Sequence, residues 1–464
     1  MASTIARLDE IAGNAVESLV VAHHRRRLRR LGQLAALDPP VDTLWTAGEP
    51  APREGCALEV LVDGSTALPR IADDLERARS SVLVSGWHFT PSFRLRPDGP
   101  TLRELLAELA ERVDVRVIAW AGAPLPLFKP SRNDVRAARD ALTRGTRIRM
   151  ALDDRERPMH CHHEKAIVID DSVAYVGGID LTTLAGNRWD TREHPARGEL
   201  GWHDATVRIE GPLLADVWSH LALRWHEVTG EELGAPPRVE ARGTTRAQLV
   251  RTVPEKIYRS LPRGEFRIAE AYVRALRSAR ELIYLENQFL WSPELLAILE
   301  DKLRRPPTDE FRLVVLLPAN ANNGSDDTRG QLARLIAADA DDRLLACALH
   351  QPGQAQPVYV HAKIGIVDDA WLTVGSANLN EHSLFNDTEL NVVTCDAELA
   401  RATRLSLWRE HLSRDDVDGP AHVVVDELWR PSADDRHGRL RRLPGVSRRS
   451  RVLFGPLNGL VVDG

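Results

Sequence analysis

From about residue 56 onward, short apolar runs typical of strands alternate with segments in which apolar residues recur every three or four positions, as on one face of a helix. The run Val82–Val84 is short and continuously apolar, which predicts a buried strand. Residues 101–113 place apolar side chains at 102, 105, 106, 109, 110 and 113, the spacing of one helix face. Thr101 and Glu104 form a capping box that predicts where this helix begins. A further apolar run at 115–118 predicts the next strand, and the alternation as a whole is typical of an α/β fold.

The same order of elements returns roughly two hundred residues later. Apolar runs at 282–285 and 311–317 predict strands, and Ser292-Pro293 predicts the start of the helix between them. We therefore expect an α/β fold of two duplicated mixed-sheet sandwich halves, related by a pseudo-twofold axis, with the active site at their interface. The predicted domains are an N-terminal helical extension, a first half, a second half and a C-terminal tail, over residues 1–45, 56–235, 250–430 and 431–464.

Composition limits the classes of partner. The 464 residues are 43% hydrophobic and 28% charged, with a net charge of −6, so no nucleic-acid partner is expected. The four cysteines are scattered, and neither a secretory signal nor a membrane-spanning run is evident. A cytoplasmic monomer is the expectation, with peripheral membrane contact left open. The basic run at residues 25–30 fits either a solvated helix face or an anchor for anionic lipid.

Two copies of one short motif carry the candidate chemistry. Each copy has the pattern His-x-Lys-x4-Asp, and the copies stand 198 residues apart: His163, Lys165 and Asp170, then His361, Lys363 and Asp368. Lysine occurs at only five positions in the chain, and two of them fall inside these motifs. On a strand, residues two apart face the same side, so each His and Lys should point together. The aspartates are counted with the catalytic set, although their odd offset of seven residues also suits the turn that follows.

Further candidates flank the two motifs. A small-residue corner follows each returning strand and could approach an anion closely; it places Asp180 in the first copy, and Ser376 and Asn378 in the second. Trp87 and Gln288 follow equivalent strands and could border the pocket. Each histidine needs a carboxylate to orient its ring; we expect Asp204 to serve His163 and Glu389 to serve His361. No metal or cofactor is expected, because neighbouring residues in His160–His163 would point alternately.

The doubled motif resembles the HKD signature of the phospholipase D superfamily, and the likeness covers about residues 57–415. Its flanks are similar to the plant and eukaryotic enzymes at 177–181, 188–191, 202–204 and 284–289. The chain departs from them in having no room for a C2, PX or PH domain. The resemblance implies that His163 attacks phosphorus and that His361 acts as general acid and then as general base. Two fixed lysines would stabilise the non-bridging oxygens of a phosphodiester.

The expected activity is hydrolysis of glycerophospholipids to phosphatidic acid and a free head group, through a phosphohistidine, at a membrane surface. Transfer to an alcohol (transphosphatidylation) stays open, as does a phosphatidyltransferase of the cardiolipin or phosphatidylserine synthase kind. A nuclease of the same superfamily is disfavoured by the acidic balance. An inactive scaffold is disfavoured because both His-Lys pairs are present.

Overall fold

The structure is a computed structural model that describes residues 2–40, 42–124, 128–157, 160–184, 188–194, 201–319, 327–352 and 357–443, without the side chains of 2–16 and 327–331. The first half contributes these strands: β1 (Arg53–Val62), β2 (Ser81–Gly86), β3 (Asp114–Trp120), β4 (Arg149–Asp153), β5 (Ala166–Ile169), β6 (Val173–Gly177), β7 (Trp202–His203) and β8 (Ala205–Glu210). The second half contributes these: β9 (Thr245–Val253), β10 (Glu265–Phe266), β11 (Leu282–Glu286), β12 (Arg312–Leu316), β13 (Leu344–Leu349), β14 (Tyr359–Val360), β15 (Ile364–Val367), β16 (Trp371–Gly375), β17 (Glu389–Thr394) and β18 (Leu440–Arg442).

Helices connect and cover the strands. Their bounds are α1 (Ala2–Leu31), α2 (Gly64–Glu76), α3 (Leu102–Ala110), α4 (Arg132–Thr143), α5 (Leu213–Thr229), α6 (Arg267–Ser278), α7 (Pro293–Arg304), α8 (Asp327–Ala338), α9 (Glu381–Phe385), α10 (Ala397–Leu412), α11 (Ala421–Val424) and α12 (Arg430–Asp434). The predicted capping box of α3 is present, since the Thr101 side chain accepts from the Glu104 backbone and Glu104 bonds back. Ser292 caps α7 as predicted. Within the described ranges, no helix is long and apolar enough to cross a membrane.

The two halves repeat one strand order within a single sheet. The first half runs β4-β3-β2-β5-β6-β8-β1, and the second runs β13-β12-β11-β15-β16-β17-β9. In each half the first three strands are parallel and the others antiparallel, and β1 pairs antiparallel with β9 where the halves meet. One hydrophobic core contains side chains of both halves together with α5 and α10. This arrangement confirms the predicted fold class, while the exact domain boundaries stay a prediction.

The sheet brings the two motifs to its pocket edge. His163 and Lys165 come just before β5, whose first residue pairs with the end of β2; His361 and Lys363 come just before β15, which pairs in the same way with β11. The carboxyl ends of the parallel strands therefore lie beside both motifs. A separate two-stranded sheet of β7 and β14 joins the halves across this edge.

Candidate active site

Each motif histidine bonds to a carboxylate of the opposite half. Nδ1 of His163 lies 3.0 Å from Oε1 of Glu389, and Nδ1 of His361 lies 2.6 Å from Oδ2 of Asp204. The pairing expected from the sequence, Asp204 with His163 and Glu389 with His361, is therefore wrong. The two carboxylates do orient the two histidines, but each one crosses the interface to do so.

Backbone hydrogen bonds explain why each carboxylate reaches the histidine of the opposite half. The His163 amide donates to the carbonyl oxygen of Thr388 at 3.0 Å, and the His361 amide donates to that of His203 at 2.8 Å. Thr388 directly precedes Glu389, and His203 directly precedes Asp204. Each histidine segment is thus bound along the end of a strand from the other half, which places the next side chain against its ring.

The two lysines occupy equivalent positions. Nζ of Lys165 donates to the His163 carbonyl at 2.6 Å, and Nζ of Lys363 donates to the His361 carbonyl at 2.6 Å. Both ammonium groups are buried. This bond places each ammonium group beside the backbone of its own motif histidine.

One small pocket contains groups of both halves. Its lining residues are Trp87, His163, Lys165, Asp180, Arg188, Trp202, Gln288 and His361. Two imidazoles and a cluster of fixed cations therefore face a single space, which suits an anion of phosphate size.

Hydroxyl groups and a glycine hold the two carboxylates in place. The hydroxyls of Ser376 and Ser383 both donate to Glu389. Ser376, predicted to contact phosphate, is therefore committed to supporting this carboxylate. On the other side, a Cβ at Gly178 would lie 2.2 Å from Oδ1 of Asp204, so only glycine lets the backbone pass so close.

Burial changes the protonation of both carboxylates. It raises the pKa of Glu389 to about 8, against the opposing charge of Lys165. It raises the pKa of Asp204 to about 7, against the opposing charge of Lys363. Each histidine–carboxylate pair can therefore gain or lose a proton near neutral pH, as acid–base chemistry requires.

The environment of His361 disfavours the imidazolium. Burial, followed by the charges of Lys363 and Arg188, holds the pKa of His361 well below its usual range. An anion bound among these cations would offset their charge and favour protonation of the ring.

The motif aspartates were expected among the catalytic residues, but the structure places them away from the pocket. Asp170 accepts backbone hydrogen bonds from residues 79–81, and Asp368 accepts them from residues 280–282, at 2.7–2.9 Å. Both have a positive φ, 54° and 52°. Asp170 connects the turn after β5 to the start of β2, and Asp368 connects the turn after β15 to the start of β11. A role in the turn agrees with their odd offset of seven residues from each histidine.

The remaining predicted residues fall at or next to the pocket. Trp87, Gln288 and Asp180 line it. Oε1 of Gln288 accepts from Nζ of Lys363 at 3.2 Å and from Nδ2 of Asn378 at 3.4 Å. Asn378 is therefore a neighbour of the pocket lining through Gln288.

Arg188 and Trp202 are pocket residues that sequence reasoning missed. The Arg188 guanidinium carbon lies 3.3 Å from the centroid of the Trp202 ring, and Trp202 in turn packs on His361 with centroids 4.1 Å apart. Burial lowers the pKa of Arg188 to about 10, opposed by Asp180 and Asp204, so it stays charged at neutral pH. Both residues belong to segments that resemble the plant and eukaryotic enzymes, 188–191 and 202–204, but the resemblance assigns no role to either of them.

A second buried cluster next to Asp204 could hold a divalent cation. Asp63, His194, His203 and Glu410 each offer one ligand atom, all within 4.8 Å of one another. Oδ2 of Asp63, Nε2 of His194 and Oε1 of Glu410 are buried and accept or donate no hydrogen bond within the described ranges. Nδ1 of His194 contacts Asp190, whereas both ring nitrogens of His203 contact carboxylates, Nδ1 that of Asp63 and Nε2 that of Glu286.

The fold and the site together define an α/β protein of two repeated halves that share one His-Lys pocket. The family described as "Cardiolipin synthase, PLD-like domain" matches residues 272–409. Phospholipase D A of Dictyostelium discoideum is 25% identical, over 81% of this chain and 37% of that protein. Phospholipase D alpha 4 of Arabidopsis thaliana is 25% identical, over 73% of this chain and 62% of that protein. The chain thus spans less than two thirds of the length of either relative.

A solved structure shares the fold. The crystal structure of phosphatidylserine synthase from Haemophilus influenzae aligns with a TM-score of 0.51 and 11% identity, covering 81% of this chain and 93% of that one. The chain is therefore similar to phospholipase D proteins over most of its length, and it carries a PLD-like domain at residues 272–409.

Proposed function

We propose that this protein is a phosphodiesterase that hydrolyses glycerophospholipids to phosphatidic acid and a free head group. The observation that carries the proposal is the single pocket lined by His163, Lys165 and His361, with Lys363 bonded to the lining residue Gln288. Paired imidazoles and ammonium groups around one space fit in-line displacement at phosphorus.

In the first step, Nε2 of His163 attacks phosphorus and the bond from phosphorus to the head-group oxygen breaks. Because the Nδ1 side of His163 is held by Glu389, the attack is assigned to Nε2. His361 gives its Nε2 proton to the departing oxygen. Lys165, Lys363 and Arg188 stabilise the charge on the non-bridging oxygens.

In the second step, His361 takes a proton from water, and the resulting oxygen nucleophile attacks phosphorus. The phosphorus–nitrogen bond breaks, which returns the electron pair to His163 and releases phosphatidic acid. The carboxylates Glu389 and Asp204 support the positive charge that each ring carries in turn.

Phosphatidyl transfer is a second candidate, favoured by the match of residues 272–409 to a family described by cardiolipin synthase. Its first step is the same, and an alcohol replaces water in the second. The two activities therefore differ only in the acceptor that reaches the phosphohistidine.

Mass spectrometry of the products tests both candidates. The protein is incubated with mixed phospholipids in ¹⁸O-labelled water, with and without ethanol. Hydrolysis predicts ¹⁸O in phosphatidic acid, and transfer predicts phosphatidylethanol. The His163→Ala protein is the control, and product formation by it at the wild-type rate would contradict the assigned nucleophile. Absence of both products from every phospholipid tried would contradict the proposed function.

A further inference from the structure

Six exposed cations lie together on α1 and on the loop that follows β9. They are Arg26, Arg29 and Arg30 of α1, and Lys256, Arg259 and Arg263 of loop 254–264; we call this set the cationic face. Within the ranges that the structure describes, none of the six forms an ion pair. The neighbouring cations Arg25 and Arg27, by contrast, are paired with Asp38 and Glu255. A chain with a net charge of −6 thus concentrates unneutralised positive charge in one place.

Helix α1 is attached to the pocket side of the second half. The buried guanidinium of Arg27 donates to the Phe385 carbonyl and to Oδ1 of Asn386, both at 2.9 Å. These residues lie just before Glu389, the carboxylate that bonds to His163. The cationic face is therefore carried by a helix that contacts the same chain segment as the catalytic pair.

The loop joins this face from the other direction. Thr252, near the end of β9, pairs with Glu389 in the sheet, so loop 254–264 leaves β9 at the pocket edge. A Cβ on Gly32, where α1 has ended, would lie 3.8 Å from Nη1 of Arg263. Arg157, which leads into the first histidine motif, bonds to Glu255 at 3.4 Å beside Arg27.

We propose that the cationic face docks the protein on an anionic phospholipid bilayer, next to the pocket. The proposal rests on the proposed function, because a lipid-hydrolysing site must meet its substrate in a membrane. Leu19 is 66% exposed and lies on the same helical stripe as Arg26 and Arg30, at spacings of seven and eleven residues. An exposed leucine beside arginines is the composition of helices that lie in the membrane interface.

A nucleic acid is the other polyanion that could bind such a face, and it is less well matched. The aromatic residue of loop 254–264, Tyr258, is buried and offers no ring on which bases could stack. The exposed Leu19 would gain nothing from a phosphate backbone. A bilayer uses both the charge and the apolar side chain.

Flotation with lipid vesicles tests the docking. The full chain carries His163→Ala, so that lipid is not consumed, and is mixed with vesicles of phosphatidylcholine alone or with phosphatidylglycerol added. Binding is expected only with phosphatidylglycerol and should weaken as salt is raised. Each cation that faces an anionic bilayer raises affinity roughly fivefold. The triple variant Arg26→Gln, Arg29→Gln, Arg30→Gln should therefore bind about 100-fold more weakly.

A matched control removes the same charge elsewhere. Arg79, Arg144 and Arg280 are exposed, form no ion pair within the described ranges, and lie near the amino ends of β2, β4 and β11, away from the pocket edge. Their replacement by glutamine should leave vesicle binding unchanged. Equal loss in both triple variants, no binding to anionic vesicles, or binding of a short DNA in place of vesicles would each overturn the proposal.

The binding assay needs no turnover, so its outcome is separate from that of the proposed function. Hydrolysis of a short-chain phosphatidylcholine dispersed as monomers by the wild-type protein reports on the site alone. Turnover of that lipid without vesicle binding would refute the docking and keep the function. Vesicle binding without turnover of any lipid would refute the proposed function and keep the docking.

Discussion

Replacement of Glu389 by glutamine is expected to slow formation of the phosphohistidine strongly while keeping the fold. Glu389 is fully buried and lies 3.0 Å from Nδ1 of His163, so solvent does not screen the pair. Two unit charges about 4 Å apart interact by about 4 kcal/mol at an effective dielectric constant of about 20. Loss of that stabilisation from the imidazolium predicts a fall of about 10³-fold in the rate of the first step.

The assay uses a nitrophenyl phosphodiester, whose leaving group departs without a proton. Attack by His163 then needs Glu389 but not the His361–Asp204 pair, whereas attack by water still needs that pair. Asp204→Asn should therefore give a rapid burst of nitrophenol followed by slow turnover. Glu389→Gln should give no burst.

Comparison of the two variants tests which carboxylate supports the nucleophilic histidine. A burst that survives in Glu389→Gln and disappears in Asp204→Asn would refute the assignment of His163 as nucleophile. Glu381→Gln is the matched control, because Glu381 is a nearby carboxylate that does not line the pocket. That variant should keep both the burst and the wild-type rate of turnover.

Other predictions concern pH, the motif aspartates, the pocket cation and the second cluster. Because burial raises the pKa of Glu389 to about 8, its pair with His163 holds an extra proton below that pH. The burst rate with the nitrophenyl phosphodiester, whose leaving group needs no proton from His361, should rise up to about pH 8 and be about 100-fold lower two pH units below it. Asp368→Ala should lower the free energy of unfolding by about 2 kcal/mol in urea titrations, with kcat nearly unchanged, since three backbone amides lose their acceptor. Arg188→Lys should lower kcat/KM by about 100-fold despite the retained charge, because the stacked planar fork is lost. Calcium, manganese or zinc should raise the melting temperature of the wild-type protein but not that of Glu410→Gln.

The repeat made the duplicated fold predictable from the sequence. Apolar runs such as 82–84 and 282–285 are local features, and their recurrence in the same order predicted two halves of one fold, which the matching strand orders confirm. The two-residue spacing of His163 and Lys165 likewise determined that the pair would point together. Features of this kind depend only on residues that are close in the chain.

Features that depend on the relative orientation of the halves could not be predicted in the same way. His163 and Glu389 are 226 residues apart, and His361 and Asp204 are 157 residues apart. Periodicity shows that a carboxylate follows each corner, but not which histidine it reaches. Arg188 was missed for a related reason, since one arginine among many carries no signal until its ring contact is known.

Because each carboxylate orients the histidine of the opposite half, neither half alone can form the complete pocket. A single half would hold one His-Lys pair whose orienting carboxylate is missing, because Asp204 and Glu389 each serve the opposite ring. The same backbone bonds that join the halves, from His163 to Thr388 and from His361 to His203, also set the two rings. A shift between the halves would therefore disturb both histidines at once. Packing mutations in the shared core should accordingly reduce activity before they unfold the protein.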